Sequence, residues 1–309
     1  MTGMLAGKTI VITGAAGMLG RSFVEALAGW PVERVLALSH AELDVVDRAA
    51  VLALAAQKPD VILHCAADVN AERCEAEPER CHAVQVDGTA HVAELAEATG
   101  ARVLYPQSFL IFDGSSLPIV EETVPAPLSV YGRCKLEAEQ LLRARLPETV
   151  VVRMAGFFGG DEADKNFVGL FTRKLAQLLA EGVRSYQVGD RVWQPTWTLD
   201  LARNCLTLLD EGQSGLYTMA TRGEASFHEL AVACVEELGL SHLMSIEKVA
   251  AAQVARAEKA RRPDRAVMEN RRLAAEGLDH QRPWRAALAE YLARPYFRAL
   301  FAGYSVPRP

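Results

Sequence analysis

Short apolar runs alternate with longer stretches of helical spacing through the first half of the chain. Lys8–Thr13 (KTIVIT) predicts a buried strand, and Arg21–Ala28, with Phe23 and Leu27 on one face, predicts a helix. The same rhythm predicts strands over Arg34–Leu38, Asp60–His64, Arg102–Tyr105 and Thr149–Arg153. Between them it predicts helices over Arg48–Gln57, Pro78–Thr99 and Tyr131–Arg145. Pro78 suits the first turn of its helix, where the missing N–H has no partner to lose. The strands are continuous apolar runs, as a sheet covered on both faces requires. Strands alternating with helices of this length imply a parallel sheet.

Beyond residue 153 the rhythm breaks. Phe167–Glu181, Leu199–Leu209 and Ser226–Leu238 carry helical spacing, and Ser226 with Glu229 forms a capping-box pair at the start of the last. Ala250–Arg272 is charged and alanine-rich, and contains Arg261-Arg262-Pro263. The division expected is a sheet domain over residues 1–153 and a smaller substrate-binding lobe over 154–309. Segments within about 185–220, such as Gly215–Met219, are expected to return to the large sheet.

Composition narrows the function more than the fold. The 309 residues are half hydrophobic, and 33 basic against 39 acidic residues leave a net charge of −6, so a nucleic-acid partner is not expected. No apolar run approaches the ~20 residues that span a bilayer. The N-terminal apolar stretch runs straight into a glycine turn, which predicts a cytoplasmic protein without an export signal. Six cysteines without paired spacing are expected to be reduced. Cys74, Cys81 and His82 lack the spacing of a metal site, and no metal is expected. Cys134 is expected to be packed, as are His64, at the end of the third strand, and Trp284. The run Arg256–Arg265 is expected to be a solvated face.

Gly14, Gly17 and Gly20 stand between the first strand and the first helix. A helix start at such a turn directs free N–H groups and the positive dipole end at a pyrophosphate. Following the first strand and opening a strand–helix series, the triplet predicts a dinucleotide site on a Rossmann-type doubly wound sheet. The second strand ends in Leu38-Ser39-His40-Ala41, with no carboxylate at its tip to hold a ribose 2′-hydroxyl, and Glu42 reads as a loop residue. Arg21 could pair with a 2′-phosphate or stay solvated. The balance favours NADP(H), with NAD(H) as the alternative. Asp44 and Val45 fall where the adenine would lie, though Asp44 could equally cap a helix.

Tyr131 and Lys135 lie four residues apart on one helical face. A tyrosine of ordinary pKa ~10 is a poor acid or base near neutrality, and a neighbouring ammonium would favour its phenolate. Ser108, after the fourth strand, supplies a hydroxyl for a substrate carbonyl. The three together suit hydride transfer to a ketone.

On these residues the chain resembles the extended short-chain dehydrogenase/reductase superfamily, in particular its dTDP-4-dehydrorhamnose reductase branch. The resemblance runs through TGAAGMLGR (13–21), LDVVDR (43–48), PDVILHCAA (59–67), AEPERCHAVQVDGT (76–89), IFDG (111–114), PLSVYGRCKLEAE (127–139), KNFV (165–168), QPTWTLDLA (194–202), RRP (261–263) and WRAALAEYL (284–292). It implies catalytic roles for Ser108, Tyr131 and Lys135. It implies cofactor contacts from Gly14 to Gly20, Met18 and Leu19 included, and from Cys65, Ala66 and Ala67. Asn166 and Arg262 fall where the family binds its nucleoside diphosphate sugar. The resemblance also admits a homodimer.

The departures bear on substrate. Phe109 and Leu110 replace an acidic residue and a tyrosine beside the catalytic hydroxyl. Trp193-Gln194 stands where the family has a glycine and a serine, and Gln85 replaces an asparagine. Phe109 and Trp193 predict an apolar wall to the sugar pocket, with Gln194 beside it. Phe109 and Leu110 cannot serve as acid and base, which argues against a dehydratase. A sugar-nucleotide epimerase remains an alternative, as does a cofactor-binding regulatory subunit like the methionine adenosyltransferase beta subunit, which shares a W-Q…P-T stretch.

Overall fold

The computed structural model describes residues 3–254 and 259–304. Its centre is a parallel sheet. β1 (Thr9–Thr13) pairs with β2 (Arg34–Leu38) on one side and β3 (Val61–His64) on the other. β4 (Arg102–Ser108) and β5 (Val150–Met154) extend the sheet, and the strand Gly215–Met219 closes its far edge. The chain runs outward from β1 to β2, then returns across β1 to β3. That reversal opens a crevice at the carboxyl ends of β1 and β3, the place where doubly wound sheets bind ligands.

Alternate residues of each strand serve opposite faces. Ile10, Ile12, Leu63, Val150 and Val152 pack beneath the helix α1 (Met18–Leu27) and a later helix over Thr198–Asp210. Val11, Ile62, Val103 and Val151 pack the other way, against Val92, Leu95, Ala138 and Leu142. β2 departs from the fully buried expectation. It is an edge strand with Arg34 and Ala37 exposed.

The helix expected over 48–57 is α2 (Arg48–Ala53) followed by a 3-10 turn, and Asp47 caps it by accepting from the Ala50 N–H at 3.0 Å. A short helix α3 (Ala71–Ala76), missed in the sequence, starts at Asn70. The long helix expected over 78–99 is three pieces: α4 (Pro78–His82), a π-helical turn over Ala83–Asp87, and α5 (Gly88–Thr99). The wider turn buries Gln85, whose Nε2 donates to the Asp68 carbonyl at 2.8 Å. α6 (Val130–Arg145) carries the Tyr131–Lys135 pair.

The later segments build a second core. Helices α7 (Phe167–Ala180), Phe227–Glu237 and Trp284–Leu292 gather Phe171, Leu230, Trp284 and Tyr291 around Phe158. The Ser226–Glu229 capping box forms. Within 185–220 the strand Gly215–Met219 joins the large sheet. Ser185–Gly189 instead pairs with Ser245–Val249 in a two-stranded sheet of its own. Of the Arg256–Arg265 run, residues 256–258 lie outside the described residues. Among the described residues, no helix is long and apolar enough to cross a membrane.

Candidate active site

The turn after β1 is built on a close approach. Gly14 has φ +65°, and a Cβ on it would stand 2.7 Å from the Ala66 nitrogen. Only glycine lets this turn meet the loop that follows β3. The Ala66 N–H donates to Thr13 Oγ1 at 3.1 Å, and the Cys65 N–H to the Thr13 carbonyl at 3.2 Å. Gly17 precedes α1 without a side-chain cap. The N–H groups of Met18, Leu19 and Gly20 therefore lie in a first turn at the positive end of the helix dipole. These donors and the side-chain-free cradle fit a pyrophosphate. Burial holds the Cys65 thiol protonated, pushed up to about 12.

The tip of β2 differs from expectation. Glu42 folds back and accepts from the Ser39 N–H at 2.8 Å and from Ser39 Oγ at 2.7 Å, and these bonds hold its carboxyl below the usual range. A carboxylate therefore does stand at the strand tip. The signal available in the sequence was the Ser-x-x-Glu spacing, here closing a loop rather than a helix. Ala15, Arg21, Ala37, Ser39 and Glu42 line one cleft of about 400 Å³. Arg21 reaches into a pair with Glu162 at 2.9 Å and also donates to the Ala16 carbonyl. Asp44 accepts from the Val46 N–H at 3.0 Å and caps no helix; Asp47 has that role. Val45 is buried beside Gly88, and its carbonyl bonds to His91 Nδ1.

Ser108 ends β4, and Tyr131 lies in the first turn of α6. A side chain on Gly132 would collide with the Leu110 carbonyl. Its absence lets the start of α6 press against the turn after Ser108. Ser129 caps α6 by accepting from the Gly132 N–H at 3.1 Å. Tyr131 is thereby brought near enough to Ser108 for that side chain to act on its phenol. Burial dominates the phenol and pushes its pKa up, with Ser108 acting in the opposite direction. The net shift is upward, against the depression expected from Lys135. One turn on, Lys135 donates from Nζ to the Pro106 carbonyl at 2.8 Å and sits 3.8 Å from the centre of the Tyr105 ring. Burial pulls its pKa down to about 7.

Sequence reasoning missed the polar scaffold beneath these residues. Gln107 donates from Nε2 to the Lys135 carbonyl and to Glu139, both at 2.9 Å, and its Oε1 accepts from the Ser108 N–H at 2.8 Å. Arg153 donates to Glu139 at 2.7 Å, with both side chains buried. The one available signal was an arginine inside the apolar run VVVRM. His64, expected to be packed, bridges Thr13 at 2.9 Å and Thr89 at 3.1 Å, and burial drops its pKa to about 3.

The residues expected on the sugar side divide. Phe109 and the Trp193 ring both approach Gly156, forming one apolar wall. Trp193 Nε1 is buried without a hydrogen-bond partner among the described residues. Gln194 does not face a pocket. Its Oε1 accepts from the Met268 N–H at 2.6 Å and its Nε2 donates to the Met268 and Thr221 carbonyls, so it ties two segments together. Asn166 precedes α7 and donates to the Phe157 carbonyl at 2.7 Å. Arg262 donates to Glu72 at 3.0 Å. Among the described residues, no group of three or more His, Cys, Asp or Glu side chains is arranged to hold a metal ion.

A doubly wound sheet with a glycine turn at its crevice, and with Ser108, Tyr131 and Lys135 set along β4 and α6, defines an extended short-chain dehydrogenase/reductase. Within that class the chain belongs to the family described as the RmlD substrate binding domain, whose model matches residues 8–297. It is 34% identical over 291 residues to the dTDP-4-dehydrorhamnose reductase of Mycolicibacterium smegmatis, covering 93% of this chain and 85% of that one. The crystal structure of a dTDP-4-dehydrorhamnose reductase from Clostridium acetobutylicum superposes with a TM-score of 0.82 at 30% identity, over 92% of this chain and 98% of that one. The methionine adenosyltransferase 2 subunit beta of Xenopus tropicalis is 29% identical over 310 residues, 93% of this chain and 87% of its own.

Proposed function

We propose that this protein reduces the 4-keto group of a dTDP-linked deoxysugar with NAD(P)H, Tyr131 protonating the C4 alkoxide. The observation that carries the reading is the buried Tyr131 in the first turn of α6, which Gly132 lets press against the turn after Ser108 at the carboxyl end of β4. Reduction of a ketone needs a proton donor at this place, and the Tyr131 hydroxyl, in the first turn of α6 and one turn before Lys135, is the group positioned to be it. The dinucleotide is held by the first-turn N–H groups of α1 and the Gly14 cradle, and a reduced nicotinamide bound there supplies the hydride. Ser108 Oγ, which accepts from the Leu110 N–H at 3.2 Å, keeps its own proton to donate to the substrate carbonyl. Lys135 is fixed by the Pro106 carbonyl and the Tyr105 ring.

The family relationship and the reductase among the relatives support this reading over that of a regulatory subunit, as does the retention of all three polar groups. The six cysteines are free, which suits a cytoplasmic setting. NADPH is the proposed preference, because Arg21 lines the cleft a 2′-phosphate would enter, although the Glu42 carboxylate in the same cleft opposes that phosphate. The test is NADPH oxidation by purified protein with a dTDP-4-keto-6-deoxysugar. Turnover supports the reading, and tight NADPH binding without turnover on any such sugar contradicts it.

A further inference from the structure

Cys74 and Cys81 meet Cys134, far along the chain, directly behind the proposed acid. Cys74 comes from α3, Cys81 from α4 and Cys134 from α6, and with Tyr131, Val86 and Ala260 they form one buried cluster. α3, α4 and α6 pack against one another, which holds the thiols in place. The Cys74 thiol donates to the Asp68 carbonyl at 3.7 Å. Cys81 packs in the same cluster as both, and both thiols act on it. Cys134 is the member with a way out. It lines an open groove of about 460 Å³ together with Pro78, Glu79, His82, Val130 and Arg133. The other described cysteines lie elsewhere: Cys65 follows β3, and Cys205 and Cys234 are buried in the two other cores.

The environment differentiates the pair. Cys81 and, after it, the neighbouring His82 and Arg133 favour the Cys134 thiolate, against burial and the Glu137 carboxylate. The two neighbouring thiols and burial keep Cys81 protonated. A cysteine at a groove with a second cysteine packed behind it is the arrangement of a reactive thiol and its resolving partner.

We propose that Cys134 and Cys81 form a peroxide-sensitive dithiol whose closure to a disulfide displaces the start of α6 and disables Tyr131. In the first step the Cys134 sulfur attacks one peroxide oxygen. The O–O bond breaks, water leaves after protonation, and Cys134 becomes a sulfenic acid. In the second, the Cys81 sulfur attacks Cys134 Sγ, the S–S bond forms, and a second water leaves. Two thiols lose two electrons, and one hydrogen peroxide is reduced to two waters. The bond draws the sulfurs to ~2.05 Å, well inside their contact distance as thiols. Cys134 lies three residues after Tyr131 and one before Lys135, so the helix turn carrying both must follow.

The cross-link can be tested independently of what the protein reduces. Trypsin cuts after Arg73, Arg80, Arg133 and Lys135, which leaves Cys74, Cys81 and Cys134 on separate peptides. The full-length protein is treated with one equivalent of hydrogen peroxide, alkylated without reduction and mapped by mass spectrometry. The expected product joins the peptide 81–102 to Cys134-Lys135. NADPH oxidation with a dTDP-4-keto sugar is followed in parallel. It should fall about tenfold or more, since roughly 1 Å of misplacement at a reacting group has effects of up to ~10²-fold, and dithiothreitol should restore it. Cys81→Ser and Cys134→Ser, each assayed reduced, should keep their rate and lose the peroxide response. A map with only sulfinic acids or a Cys74–Cys81 link overturns the proposal. So does a Cys81–Cys134 link that leaves the rate unchanged. A protein that forms the link reversibly but never turns over a sugar retains the dithiol and refutes the reductase reading instead.

Discussion

Arg153 and Glu139 meet as a fully buried ion pair, Nη2 to Oε1 at 2.7 Å, directly beneath the residues proposed to carry the chemistry. Glu139 also accepts from Gln107, and Gln107 fixes both the Ser108 N–H and the Lys135 carbonyl. Strand β4 and helix α6 are thereby locked in register, which sets the relation of Ser108 to Tyr131. An isolated buried charge is far more costly than a paired one. Arg153→Met should destabilise the fold by about 3–5 kcal/mol, and adding Glu139→Leu should recover a large part of that. Urea unfolding of the two single variants and the double checks this. Additive losses would show that the pair is not coupled.

Burial of His64 makes a pH prediction. Its pKa is about 3 in the fold against an ordinary 6.5. Below 6.5 the unfolded chain binds a proton that the native imidazole refuses, so stability is lost as pH falls from 6.5 towards 3. The slope approaches 1.4 kcal/mol per pH unit, on the order expected for one proton. Unfolding free energies at pH 7 and pH 5 should drop further for the wild type than for His64→Gln. Equal drops would contradict this assignment.

Much of this architecture is legible in the amino-acid order, for a physical reason. β1, β3 and β5 are buried on both faces, so each must be an apolar run, and Tyr131 and Lys135 share a face because helix geometry puts them there. What was hidden depends on contacts across the chain. The π turn at Ala83–Asp87 has no local breaker, and it buries Gln85 by way of the Asp68 carbonyl. Gln194 resembles a pocket residue until Met268, far along the chain, takes both ends of its amide. The phenol of Tyr131 was expected to be lowered by charge, but burial is the largest influence on it and raises it.

Glu42 places a negative charge in the cleft where a 2′-phosphate would lie. The Glu42→Gln change removes that charge and keeps an oxygen for the Ser39 hydroxyl. At this exposed, solvent-screened position the ratio of kcat/KM for NADPH to that for NADH should rise by about fivefold or less. Steady-state kinetics with both cofactors test this, and an unchanged ratio would remove Glu42 from cofactor choice.

Phe109 and Trp193 turn an apolar surface towards Gly156, next to Ser108. A sugar hydroxyl left unpaired against a phenyl ring costs about 1–3 kcal/mol. The wild type should therefore have the higher kcat/KM on a 2,6-dideoxy or branched 4-keto sugar than on dTDP-4-dehydro-L-rhamnose, with Phe109→Asp shifting the ratio back. A wild type that prefers the fully hydroxylated sugar, with the variant no better on it, would refute the apolar wall.

The proton donor is the centre of the account, and Tyr131→Phe isolates it, since the change removes one oxygen and leaves the ring packed among Cys74, Cys81 and Cys134. Single-turnover reduction of a dTDP-4-keto-6-deoxysugar, measured with NADPH affinity in the same preparation, should slow by about 10²–10⁴-fold while NADPH binds as before. Wild-type turnover in the Phe variant would show that another group delivers the proton.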